Sequence, residues 1–274
     1  MSVFKSKLEV IVRASMVNDS QQGEQHQIVA HQSYCDLLSR FGYKNDYPVA
    51  EFLKRYYGLT GHWHIVSPIH WEATQSDATI RFADGLLQIT DEESKHLFNE
   101  FSAFAAQDEI RLFYHDAVTW LIETPKPIAK TQAVHELIDR SFGRALQDLE
   151  STPFWLRFLT ESQMFFSAFK SIVNGIWIWG GTAEIELRKR SSRPLIVCGD
   201  EHWLGVVSAL SSRASCFNEK QPILSNTLYF VPNAHWLKVS NLEQYFSHVT
   251  VRWYWQNGVY KTKPAHWFYR LLGR

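Results

Sequence analysis

His62 and His64 stand two residues apart, and His70 follows just beyond Pro68. On a strand, residues two apart point to one face, so two imidazoles there can meet one partner, and a transition metal is the partner that suits them. An ordinary pair of hydrogen-bonded histidines has the same spelling, because a metal needs further ligands and outer partners that the motif does not supply. A second constellation is Cys198-Gly-Asp-Glu-His202, at the end of an expected strand and the start of an expected helix. Ligands of open α/β sheets gather at the carboxyl ends of strands, where Asp200 and His202 could share a metal or act as a base and its orienting partner. Asp200 reads more readily as the cap of the helix that follows, and both readings can hold together. The third is Asn174-Gly-Ile-Trp-Ile-Trp-Gly-Gly181. Its Gly180 and Gly181 would let backbone approach a phosphate or sugar closely, with Trp177 and Trp179 on one face as a stacking surface. The alternative is a tight turn over a buried tryptophan pair.

Several chemistries lack their motif. There is no G-x-x-x-x-G-K-[ST], no G-x-G-x-x-G and no G-x-S-x-G, so nothing indicates a nucleotide loop or a hydrolase elbow. The basic run Arg188-Lys-Arg190 through Arg193 reads as a solvated loop. With 28 basic and 28 acidic side chains the formal charge is zero, so no net field draws the chain to nucleic acid or to an anionic membrane. Cys35, Cys198 and Cys216 form no C-x-x-C pair, which argues against a disulfide framework and a structural zinc. The first apolar stretch is short and broken by Arg13, so neither a signal peptide nor a spanning helix is expected, and the cytoplasm is the expected location.

The elements that must position these residues alternate between strands and helices. Strands are expected over residues 7–14, 62–66, 176–179, 194–198 and 227–231, and helices over 33–41, 49–57, 90–106, 132–149, 151–169 and 203–213. The first two helices would form a small N-terminal layer. Residues 110–123 read as a hairpin turning at His115-Asp116, and residues 249–263 as another turning at Asn257-Gly258 in a type I′ turn. Asn18 to Gln27 reads as a mobile loop. The expectation is a mixed α/β protein, a largely parallel sheet flanked by helices with a C-terminal hairpin, in one globular domain over 1–274. Pro125 and Pro127 mark the best internal boundary, near 124–130.

The segments GHWHIVSPIHWEATQSDATI, LFNEFSAFAAQDEIRLFYHDAVTWLIE, TPFWLRFLTESQMFFSAF, VNGIWIWGG and HWFYRLLGR together resemble a proteobacterial regulatory family, the RpfE-like proteins, often described as cofactor-independent phosphoglycerate mutase-like. The block Asn174, Trp177, Trp179, Gly180, Gly181 carries most of the likeness, with Pro68 and His70 next. The resemblance implies an alkaline-phosphatase type of α/β fold that holds two divalent metals and a phosphorylated serine. The early Asp-Gly metal motif of true mutases is absent, however, and Ser67 stands where an acidic residue belongs to the pattern.

Two functions follow as expectations. One is a metal-dependent phosphomutase or phosphatase on a small phosphorylated metabolite, using manganese or zinc, with Asp200, His202, His64, His70 and Asp77 as ligands. The other is a regulatory or ligand-binding protein with an eroded active centre, taking a small molecule on Asn174, Trp177, Trp179, Gly180 and Gly181.

Overall fold

The computed structural model describes residues 8–14, 32–44, 47–73, 78–125, 131–141, 143, 145, 153–181, 187, 191–220, 222–233 and 239–263. In chain order the elements are β1 (Leu8–Val12), α1 (Ser33–Arg40), α2 (Val49–Tyr57), β2 (His62–Ala73), β3 (Ala78–Ala83), α3 (Asp91–Ala105), β4 (Arg111–Asp116), β5 (Thr119–Thr124), α4 (Pro153–Ser167), β6 (Gly175–Trp179), β7 (Leu195–Val197), α5 (Glu201–Val207), β8 (Ala214–Cys216), β9 (Leu228–Val231), α6 (Val239–Tyr245), β10 (Val251–Trp255) and β11 (Gly258–Thr262). They fall into two compact units, 1–41 with 188–274, and 42–187. Thr124 ends a strand inside the second unit, and the expected mobile loop at 18–27 lies outside the described residues. The mixed α/β class holds, with a second, antiparallel sheet added to the expected parallel one. α1 and α2 are not one layer: each packs within its own unit, α1 on β1 and α2 on β2.

The first unit is a sheet in the order β11-β10-β1-β9-β7-β8, parallel except for the last hairpin. Tyr229 and Phe230 point to its two faces. On the Phe230 face, Tyr34 of α1 and Trp203 of α5 close around that ring at 5.7–6.1 Å. On the Tyr229 face lie Leu242 and Phe246, with Val10, Val12, Trp253 and Tyr260. The crossover β7-α5-β8 thus runs one way on one face, and β9-α6-β10 the other way on the other face, which gives both the same hand.

Glu9 ties the start of this unit to its return segment. Its carboxylate accepts from Arg193 at 2.7 Å and Tyr254 at 3.0 Å, and Arg40 stands 3.4 Å away. Burial works against the charge, yet the two guanidiniums and the phenol hold the carboxyl below its ordinary range. Glu9→Gln removes the charge that both arginines face and is expected to cost about 1–3 kcal/mol, read as a lowered urea midpoint at neutral pH.

The second unit is an antiparallel sheet, β3-β2-β5-β4, with β6 also on β2. β2 does not turn at Pro68 but runs through it. On one edge its β5 ladder ends at Val66 and its β3 ladder begins at Ile69, so the proline falls in the gap between those partners, while on the other edge it pairs with Ile176 of β6. α3 begins as its spelling requires, the Thr90 hydroxyl accepting from Glu93 N at 3.1 Å. Its Phe98 and Phe101 meet Trp120 of β5 and Phe158, Phe165 and Phe166 of α4.

Other expectations are corrected. Residues 132–141 are not a helix: after a single 3₁₀ turn at Val134–Glu136, Ile138 and Ser141 bridge to Ile80 and Thr79, so the sheet edge wins over helical spacing. α5 is shorter than expected, ending at Val207, and β8 follows it. The last hairpin turns on Gln256-Asn257, because Trp255 pairs with Gly258, and neither Asn257 nor Gly258 has the positive φ of a type I′ turn. This register pairs Trp253 with Tyr260, and their rings stack at 5.7 Å.

Candidate functional site

In the first unit α5, after β7, packs on the Phe230 face, and α6, after β9, on the Tyr229 face. On the other side of β9, β1 ends at Val12 and Arg13 follows it. The carboxyl ends of such strands are the ordinary ligand position of an open α/β sheet. Just beyond β7 and β9 the chain packs closely, since a Cβ on Gly199 would lie 2.8 Å from Pro232 Cγ. Asp200, His202 and Asn233 follow the same strand ends, the last two exposed. Arg13 enters from the β1 side, 8% exposed, its guanidinium 4.2 Å over the Tyr34 ring and its backbone N–H bonded to Val231 O at 2.9 Å.

Asp200 performs the capping role, its Oδ1 accepting from Trp203 N at 3.1 Å. His202 Nδ1 stands 4.0 Å from the same oxygen with its side chain 81% exposed. The two side chains are therefore loosely placed and not a tight base dyad. Burial raises both nearby thiols, Cys198 most strongly, so neither is a ready thiolate.

The remaining expected site residues belong to the second unit, and the structure gives most of them structural work. Asn174 Nδ2 donates to Trp71 O at 2.8 Å and its Oδ1 accepts from Trp71 N at 2.9 Å, extending the β6 pairing by a side chain. Trp177 and Trp179 are fully buried, donating to Gln132 O and Ser67 Oγ, each at 2.9 Å. Trp63 is likewise buried and donates to Thr60 O. The three rings form no open stacking surface. Gly180 holds φ +69° and offers its carbonyl to Ala50 N at 3.1 Å, satisfying a free amide in the first turn of α2, which has no side-chain cap. A Cβ on Gly181 would run into the His64 ring and the Trp63 carbonyl. Trp177 does line a small pocket with Trp71, Leu156, Leu159 and Gln163, but at about 60 Å³ and with no cationic side chain it suits no phosphorylated metabolite.

His62 is exposed and His64 buried, so their shared face serves no common ligand. His64 is pushed down to about 4, chiefly by burial and then by His62. His70 Nδ1 is bonded to Ile172 O at 2.7 Å. It lies six residues from His64 on one extended strand, roughly 20 Å along, too far to share an ion. Asp77 lies outside the described residues. Among the described residues no three His, Cys, Asp or Glu side chains come together to hold a metal. Arg13 and Asn233 were not singled out as site residues by spacing. Only the position of a strand's carboxyl end could have pointed to them.

No family model and no curated protein matches the chain. Among solved structures, a cofactor-independent phosphoglycerate mutase from Thermoplasma acidophilum DSM 1728 is a weak neighbour, at 11% identity and a TM-score of 0.34 over 94% of this chain and 90% of that one. A likeness that faint decides neither fold nor activity. None of these findings shows the RpfE-like family. Among the described residues no helix is long and apolar enough to cross a membrane.

Proposed function

We propose that the chain is a ligand-binding protein of the regulatory kind that takes a small phosphorylated metabolite at the carboxyl end of its parallel sheet. The observation that carries this reading is Arg13, a nearly buried cation held on Tyr34 just past the carboxyl end of β1. A guanidinium in partial burial is well matched to a phosphate, because charge-assisted bonds gain strength where water is scarce. Asn233 after β9 and His202 after β7 place further polar side chains near the same strand ends. The RpfE-like resemblance is in keeping with a regulatory role. A second reading, slow phosphoester turnover, rests on Asp200 and His202 after β7, although Asp200 is engaged as a helix cap.

The test is calorimetric titration of the full chain with 3-phosphoglycerate and with inorganic phosphate at low and moderate salt. Saturable binding that weakens about ten- to a hundredfold in Arg13→Met, which keeps the stem on Tyr34, supports the proposal. Binding that is absent, or indifferent to Arg13, overturns it. Elemental analysis and a phosphate-release assay on the same preparation separate the two readings: one or two bound metals with turnover would establish the enzyme instead.

A further inference from the structure

The β4–β5 hairpin of the second unit carries a chemical arrangement of its own. Tyr114 pairs with Trp120 and Asp116 with Thr119, leaving His115 as the extra residue of a β-bulge. The reversal expected at His115-Asp116 is made by Ala117 and Val118 instead. A bulge re-aims the side chain it carries, and here it sets His115 Nδ1 2.6 Å from the hydroxyl of Tyr57, the last residue of α2. On the other edge of the ring, His115 Nε2 faces Asp116 Oδ2 at 3.5 Å. Asp116 is itself fixed, since its Oδ1 accepts from Val118 N at 3.0 Å. Phe113, Tyr56 and His115 hold the Tyr57 ring at centroid distances of 4.5–5.6 Å.

We infer that Tyr57, His115 and Asp116 form a nucleophilic site that accepts an acyl group from a small activated ester. A hydroxyl, an imidazole and a carboxylate in series are the parts by which a weak nucleophile is activated, and such contacts are commonly loose before substrate binds. With its proton on Nε2, His115 accepts the Tyr57 hydroxyl at Nδ1 and turns its N–H toward Asp116. The His115 side chain is 8% exposed and that of Asp116 30%, so the base is shielded from water and the carboxylate is partly solvated.

The step balances within these groups. Tyr57 Oη bonds to the ester carbonyl carbon as its proton passes to His115 Nδ1. The bond from that carbon to the leaving alcohol then breaks, and the alcohol departs with the proton from His115. Water, deprotonated by His115, hydrolyses the aryl ester and frees the carboxylic acid and Tyr57.

The experiment is a stopped-flow burst assay of the full chain with p-nitrophenyl acetate, followed by peptide mass spectrometry. The expected result is a burst of about one equivalent of nitrophenolate with the acetyl group on Tyr57, abolished in Tyr57→Phe and slowed about a hundredfold in His115→Gln. Asp116 is a positioning residue. Asp116→Asn keeps an oxygen for the Val118 N–H, so it should slow the burst about tenfold while leaving its amplitude intact, a split that a merely structural loss would not give. No burst, acetylation elsewhere with Tyr57 untouched, or an unchanged burst in Tyr57→Phe overturns the inference. If Tyr57→Phe fails to fold, Asp116→Asn decides: an unchanged rate sinks the relay. Phosphate-ester binding in the first unit is measured separately, so either proposal can fail alone.

Discussion

Trp177→Ala is expected to lower the unfolding free energy by about 3–5 kcal/mol, the usual cost of emptying a tryptophan's place in a core. Trp177 has no exposed surface, sits on a strand whose five residues are all buried, and donates its indole N–H to Gln132 O. The substitution therefore removes packing and orphans a carbonyl together. Trp177→Phe keeps most of the apolar volume and should cost less, about 1–3 kcal/mol, mostly for the lost bond. Urea midpoints at neutral pH for wild type and the two variants check this ordering. A Trp177→Ala protein with an unshifted midpoint and weakened small-molecule binding would restore the tryptophan pair as a ligand surface. This variant separates the two readings of the most specific block in the chain, because a stacking platform loses affinity where a core residue loses stability.

The elements were legible wherever local chemistry decides. Thr90 with Glu93, the glycine after Tyr57, and the apolar runs of β1, β7 and β9 each act within a few residues, and the fold uses them as their spelling suggests. Partners are a different matter. Nothing near Pro68 tells that β2 changes neighbours there, and nothing near Ile138 tells that β3 will claim it. The site suffered for the same reason. Asn174, Gly180 and Gly181 are chemically suited to a ligand, but the groups that occupy them, Trp71, Ala50 and His64, lie more than 100 residues away in sequence. His115 shows the converse: it reads as a turn residue, and only the pairing of Tyr114 and Asp116 reveals the bulge that points it at Tyr57.

His64 should make the protein sensitive to mild acid. Its ring is 3% exposed, and burial, with His62 adding to it, pushes it down to about 4, while in the unfolded chain it titrates near the ordinary 6.5. Below about 6.5 the unfolded chain takes up a proton that the folded chain refuses until about 4. The folded state is therefore fully favoured above the upper value and loses stability progressively as pH falls to the lower one, by roughly 3 kcal/mol in all. The window can be isolated, because Glu9 and Asp91, whose carboxyls are held below their ordinary range, add their own acid sensitivity only beneath about 4.5. Urea midpoints between pH 7.5 and 4.5 should fall steeply in wild type and much less in His64→Gln, which cannot take the proton. Equal slopes in the two proteins would mean that the ring protonates in place, and that the His64 pocket opens to water without unfolding. Since Gly181 makes room for this ring and Gly180 caps α2, loss of His64 packing should reach the strand-to-helix junction first, and amide exchange at Ala50 would report it before global unfolding.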